Sequence, residues 1–150
     1  MGTTVPSVYI PSLCLYTNAS YAPRINKFVC FGNRGVLPET DMIVPKPMDG
    51  YSWAELYSYK GIVHIPYEIS TMSIFEQYSA GVPLWFPSKR LYKELIAQKK
   101  ACLISLYGKK YLDKFSLACN DDFWLDRADF YSSDFSDGVF IFDSFEELFG

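Results

Sequence analysis

The chain has 150 residues, 49% apolar and 18% aromatic. That is the length of one domain, able to bury roughly 70% of the surface its unfolded form exposes without disulfide or metal staples. Its 14 Lys plus Arg against 17 Asp plus Glu leave a net charge of −3, which argues against a general nucleic-acid binder, since that needs a basic face.

No run of about 18 apolar residues occurs. Thr3, Thr4, Pro6 and Pro11 stand where a signal peptide needs a basic start and an apolar core. The expectation is a soluble, cytoplasmic chain with no membrane span. Residues 8–10 and 27–31 read as short strands, the second ending in the turn chemistry of Gly32-Asn33-Arg34-Gly35. A further short strand is expected over 41–44, stopped by Pro45-Lys46-Pro47. The three prolines between 38 and 51 mark this stretch, about 36–51, as the least ordered part.

Ser52-Trp53-Ala54-Glu55 has capping-box spacing, so a helix is expected over 53–59, ended by Gly61. The unbroken apolar run 62–65, interrupted only by His64, suits a strand covered on both faces. A helix over 73–80, the stop Gly81-Val82-Pro83 and a buried strand over 83–87 follow. Ser88 caps a helix to about residue 100, with Leu91, Leu95 and Ile96 on one face and Lys89, Lys93, Lys99 and Lys100 elsewhere. Residues 103–106 read either as an extension of that helix or as a strand. A helix over 123–131, a strand over 138–142 and a last helix capped by Asp143-Ser144 through residue 148 complete the chain. This alternation predicts an α/β fold with a Rossmann-like parallel sheet flanked by helices.

Cys14, Cys30, Cys102 and Cys119 are scattered and form no C-x-x-C pair, so buried thiols in a reducing compartment are expected. His64 is the lone histidine; on an apolar strand it is read as packed and hydrogen-bonded, and a metal site would need companions it lacks. Asp121 and Asp122 are read as negative charge at a helix start, and the wider group with Asp126 and Asp129 lacks the spacing of a calcium loop. Tyr57, Tyr59, Tyr67 and Tyr78 are assigned to packing in preference to stacking on a base or sugar.

Seven residues separate Glu68 from Glu76, the first at a strand end and the second in the first turn of the next helix. Both can face the crevice where an open α/β sheet takes its ligand, with the turn's free N–H groups between them aimed at an anion. Ser73 and Glu76 also have the spacing of a capping box, in which Glu76 serves only its own helix. A hydrolase with Glu68 and Glu76 flanking a glycosidic bond is the other use of two carboxylates, but their place beside N–H donors suits anion binding better.

Pro66, Glu68, the turn Ser70-Thr71-Met72-Ser73, Glu76, Ala80, Gly81 and Pro83 give residues 61–88 a pattern. It resembles the C-terminal, nucleotide-sugar-binding domain of GT-B-fold retaining glycosyltransferases. The wider chain, from Ile10-Pro11-Ser12-Leu13-Cys14 to its last helix, is similar to glycosyltransferase-like proteins of giant DNA viruses, which would place it in the host cytoplasm.

The resemblance implies a nucleotide-diphosphate sugar such as a UDP- or GDP-sugar as donor, no protein cofactor and no obligatory metal. It implies that Glu68 contacts the sugar hydroxyls and that Glu76 accepts from the ribose hydroxyls. Backbone N–H groups of Thr71, Met72, Ser73 and Ile74, in the turn begun by Ser70, would hold the diphosphate with the Ser73 hydroxyl. Arg34 would neutralise the diphosphate, helped by Lys27 or Lys60. The acceptor is not assigned, and the acceptor half of such enzymes has no place in this chain. The expectation is therefore a donor-domain fragment, a subunit needing an N-terminal acceptor half or a homo-oligomer, or a non-catalytic binding module that retains the fold.

Overall fold

The computed structural model describes residues 17–32, 34–67, 73–101, 125–135 and 137–150. Among them are five strands: β1 (Ile25–Phe31), β2 (Ile43–Pro45), β3 (Tyr59–His64), β4 (Leu84–Pro87) and β5 (Val139–Phe142). The α-helices are α1 (Trp53–Leu56), α2 (Ser73–Ser79), α3 (Lys89–Ala97) and α4 (Phe145–Phe149), with 3-10 turns at Arg34–Val36, Asp129–Tyr131 and Ser133–Phe135. The expected strand at 8–10 and the undecided stretch 103–106 lie outside the described residues.

The strands form one sheet in the order β2-β1-β3-β4-β5, and every neighbouring pair is parallel. The fold is α/β and Rossmann-like, as the alternating pattern predicts. Strand alternation splits the core in two. Val29, Ile62, Leu84 and Phe86 pack with Leu56, Tyr57 and Ile74 of the α1 and α2 regions and with Phe130 and Phe135. On the opposite face Phe28, Cys30, Val63 and Phe142 pack with Val36, Leu95 of α3 and Leu148 of α4. Helices thus cover both faces, which is why the central strands carry no polar alternation.

Several boundaries differ from expectation for physical reasons. The first helix is one turn, capped by Ser52 Oγ accepting from the Glu55 N–H at 3.1 Å. It stops at Leu56 because Tyr59 is drawn into the sheet opposite Ile25. Pro45 does not stop β2 but ends inside it. The inward bonds run from Phe28 N–H to Met42 O and from Lys46 N–H to Cys30 O, which leaves the Pro45 nitrogen on the outer edge of an edge strand.

α3 ends at Ala97, short of residue 100. Lys99 takes a left-handed φ of 58°, and the Lys99 and Lys100 N–H groups return to Ile96 and Leu95, a Schellman closure. The expected helix over 123–131 is not continuous. After Leu125 the described chain runs into 3-10 turns, with Phe130 stacked on Phe86 at 4.8 Å and Tyr131 Oη donating to Pro87 O at 2.5 Å. Contacts with β4 outweigh helical propensity there.

Candidate functional site

In a doubly wound sheet the ligand crevice opens beyond the carboxyl ends of the strands, where successive connections leave in opposite directions. Here that switch lies between β1 and β3. β1 leads through the 3-10 turn to edge strand β2 on one side, and β3 leads through α2 to β4 on the other. The two strands remain paired to their last residues, with Phe31 opposite His64 and Ile65 N–H donating to Phe31 O at 2.8 Å. Gly32 then turns with φ +145°, so close to Ile65 that a Cβ would stand 2.7 Å from its carbonyl oxygen. Only glycine meets both demands. Pro66 is fixed from the other side by Tyr92 Oη of α3, which donates to its carbonyl at 2.5 Å.

This geometry sets the 3-10 turn that begins at Arg34 and the segment that runs to Tyr67 on the two sides of the switch. Arg34 opens the 3-10 turn beyond Gly32, and Glu68 directly follows exposed Tyr67. Glu68, Ser70, Thr71 and Met72 lie outside the described residues. Ser73 begins α2, and Glu76, half-buried, stands in its first turn. The Ile74 side chain is fully buried in the core, so only its backbone is available to a ligand. With seven residues, α2 supplies little beyond the free N–H groups of its first turn.

His64 is 3% exposed, sandwiched between Phe86, stacked at 5.0 Å, and Phe31 at 5.3 Å. Its Nε2 lies 2.6 Å from Gln77 Oε1 of α2, a pair in which the imidazole N–H donates. Burial pushes its pKa down to about 4 against the opposing pull of the Gln77 bond. At neutral pH it is an uncharged structural donor tying β3 to α2, as a lone histidine on an apolar strand should be. Burial also pushes the Cys30 thiol up to about 12, so this cysteine is inert packing.

The lysines expected to assist Arg34 are in the wrong place. Lys27 and Lys60 each precede the last residue of their strand by four positions, about 13 Å along the sheet from its carboxyl edge. Lys27 pairs with Asp41 at 3.8 Å, and Lys60 lies over the Phe28 ring at 4.9 Å. A lysine that does stand at the carboxyl edge is Lys46, directly after β2. Its Nζ lies 4.9 Å from the ring centres of both Phe31 and Tyr51. Reading Pro45-Lys46-Pro47 only as a strand stop conceals it; a single lysine immediately past a strand's carboxyl end was the available signal.

Farther along the same edge, charges are consumed by their neighbours. Arg90 Nη2 reaches Asp143 Oδ2 at 2.6 Å and Nη1 reaches Glu94 at 2.6 Å, while Ser88 Oγ also donates to Asp143. These contacts hold the Asp143 carboxyl below its usual range and join the start of α3 to the end of β5. Asp126, one of the four aspartates weighed as a cation site, instead pairs with Lys89 at 2.6 Å; Asp121 and Asp122 lie outside the described residues. Among the described residues, no group of three His, Cys, Asp or Glu side chains is placed to hold a metal, and no helix is long and apolar enough to cross a membrane. No family model, curated protein or solved structure matches this chain.

Proposed function

We propose that this domain binds a nucleotide-diphosphate sugar as the donor half of a retaining glycosyltransferase and transfers the sugar when joined to an acceptor-binding half. The observation that carries this reading is the switch between β1 and β3, where the turn opened by Arg34 follows one strand, Tyr67 follows the other, and α2, which bears Glu76, lies on the connection to β4. Glu68 engages the sugar hydroxyls, and Glu76 accepts hydrogen bonds from the ribose. Arg34 and the N–H groups of residues 71–74 offset the negative charge that gathers on the diphosphate as its bond to the sugar breaks. Stabilising that charge lowers the barrier without proton transfer by the protein.

The sequestered, neutral His64 favours a second reading, a module that holds the same ligand without turnover, because the one histidine is closed off from acid–base chemistry. A melting experiment with UDP, GDP and their sugars tests the site. At a hundredfold excess over Kd, a nucleotide should raise Tm by about 5–10 °C, and Glu76→Ala should shrink that rise without lowering the melting temperature of the free protein by a comparable amount. No rise with any of these ligands would end the donor-site reading. An undiminished rise in Glu76→Ala would remove the ribose role, and sugar transfer or donor hydrolysis would separate the enzyme from the binding module.

A further inference from the structure

We infer that β5 is an interface between two copies of this chain, in which the strand pairs antiparallel with itself across a two-fold axis at Phe140 and joins the two five-stranded sheets into one. Such a dimer is independent of what the carboxyl edge binds.

The two edges of the sheet differ. β2 is short, Pro45 offers no N–H on its outer side, and Lys46 and Pro47 follow directly. Proline and lysine are common guards of an open edge. β5 reads Val139-Phe140-Ile141-Phe142, with no proline or charge, and lies in unbroken register with β4, its one strand neighbour among the described residues. Phe140 and Ile141 are 45% and 46% exposed, one on each face of the sheet.

The main-chain groups select the occupant of this edge. Leu84 N–H donates to Gly138 O and Ser88 N–H to Phe142 O, so the even-numbered residues of β5 face β4. Val139 and Ile141 therefore direct their N–H and C=O groups away from the sheet. Among the described residues neither is hydrogen-bonded on that side. Asp143, the next outward residue, has its N–H closed off by Glu147 Oε2 at 2.8 Å. The open donors and acceptors are thus placed evenly about Phe140. A second β5 running the other way about that residue matches them all, because Val139 of each copy exchanges both bonds with Ile141 of the other. Moving the axis to Ile141 would set Val139 against Asp143, whose donor is already taken.

In this register Phe140 faces its own counterpart, in the type of pair whose side chains stand closest. Its ring stacks on Trp85 at 4.8 Å, and Trp85 meets Phe28 edge to face at 5.8 Å, so two aromatic rows join across the axis. Asp137 of one copy comes to the corner where Arg90 holds Asp143 of the other, a place that offers a cation as well as an acid. Pairing β5 with β5 leaves only the guarded β2 edges outside, which closes the assembly at two copies.

A single strand pair is a small contact beside the roughly 1,200–2,000 Å² of stable complexes, so the dimer should form and dissociate with concentration. Sedimentation of the wild-type chain should show the mass rising from one copy toward two over about 10–500 µM. Ile141→Lys sets a charge on the edge, and Ile141→Pro removes an outward N–H and none that faces β4; each should weaken association by about tenfold or more. Met48→Lys, at a side chain 82% exposed on the connection from β2 to α1, should associate as wild type. Amide hydrogen exchange should slow at Val139 and Ile141 as concentration rises, while Phe140 and Phe142, bonded to β4, change little.

A wild-type chain that stays monomeric throughout would overturn the inference, as would association that survives both Ile141 variants or falls equally in Met48→Lys. Assembly that grows past two copies would remove the two-fold pairing. Association with no change in exchange at Val139 and Ile141 would take the interface away from β5.

Discussion

Burial makes His64 a neutral hydrogen-bond donor at physiological pH, and that has a price in acid. In the unfolded chain the imidazole takes up a proton near pH 6.5, whereas in the folded protein its pKa is pushed down to about 4. Between these values the unfolded chain binds more protons, so stability falls as pH drops through this window. The loss reaches roughly 3 kcal/mol below it. Replacing both partners of the polar pair by apolar groups, His64→Phe with Gln77→Leu, avoids orphaning either one. Urea titrations from pH 7.5 to 4.5 should show a shallower decline for this double variant than for wild type. Parallel declines would mean that other groups carry the acid sensitivity.

At the level of elements, α3 shows local chemistry agreeing with the sheet at one end and conceding at the other. Ser88 caps the helix by accepting from the Leu91 N–H at 3.1 Å, and the Arg90 contacts to Asp143 tie its first turn to the end of β5. That ion pair is exposed, so its worth is small. The C-terminal closure places Lys99 at φ 58°, a conformation that disfavours any side chain with a Cβ. Lys99→Gly should therefore stabilise the domain by about 0.5–1 kcal/mol, read as a higher urea midpoint with an unchanged slope. A lowered midpoint would show that entropy lost from the unfolded chain outweighs the relieved strain.

Across the whole molecule, Phe86 links three parts of the structure. Its ring stacks on His64 of β3 and on Phe130 of the 3-10 segment, at 5.0 and 4.8 Å, and it is wholly buried. Phe86→Ala should cost about 3–5 kcal/mol through lost transfer energy and the cavity left behind. Hydrogen exchange should show the loss of protection spreading to residues 128–135 as well as β4, because Tyr131 also depends on the adjacent Pro87 carbonyl. Protection lost only within β4 would show that the 3-10 segment is held by other contacts.

Composition and periodicity by themselves determined the α/β class, the parallel sheet, the order of strands and helices from β1 to α3 and from β5 to α4, and the serine caps at Ser52 and Ser88. These follow from local propensity and from which residues must leave water, and both are written along the chain. The tertiary structure alone decided which strands are neighbours, and hence that the switch lies between β1 and β3, with the turn opened by Arg34 after one strand and Tyr67 after the other. It also put Lys27 and Lys60 four residues before the ends of their strands and Lys46 just past the end of β2, since a residue's distance from the carboxyl edge depends on strand register and on Pro45 lying at an open edge. Tyr59 was taken from a helix and residues 129–135 were folded into 3-10 turns for the same reason: contacts with residues distant in sequence outweigh the few tenths of a kcal/mol per residue that local preference contributes.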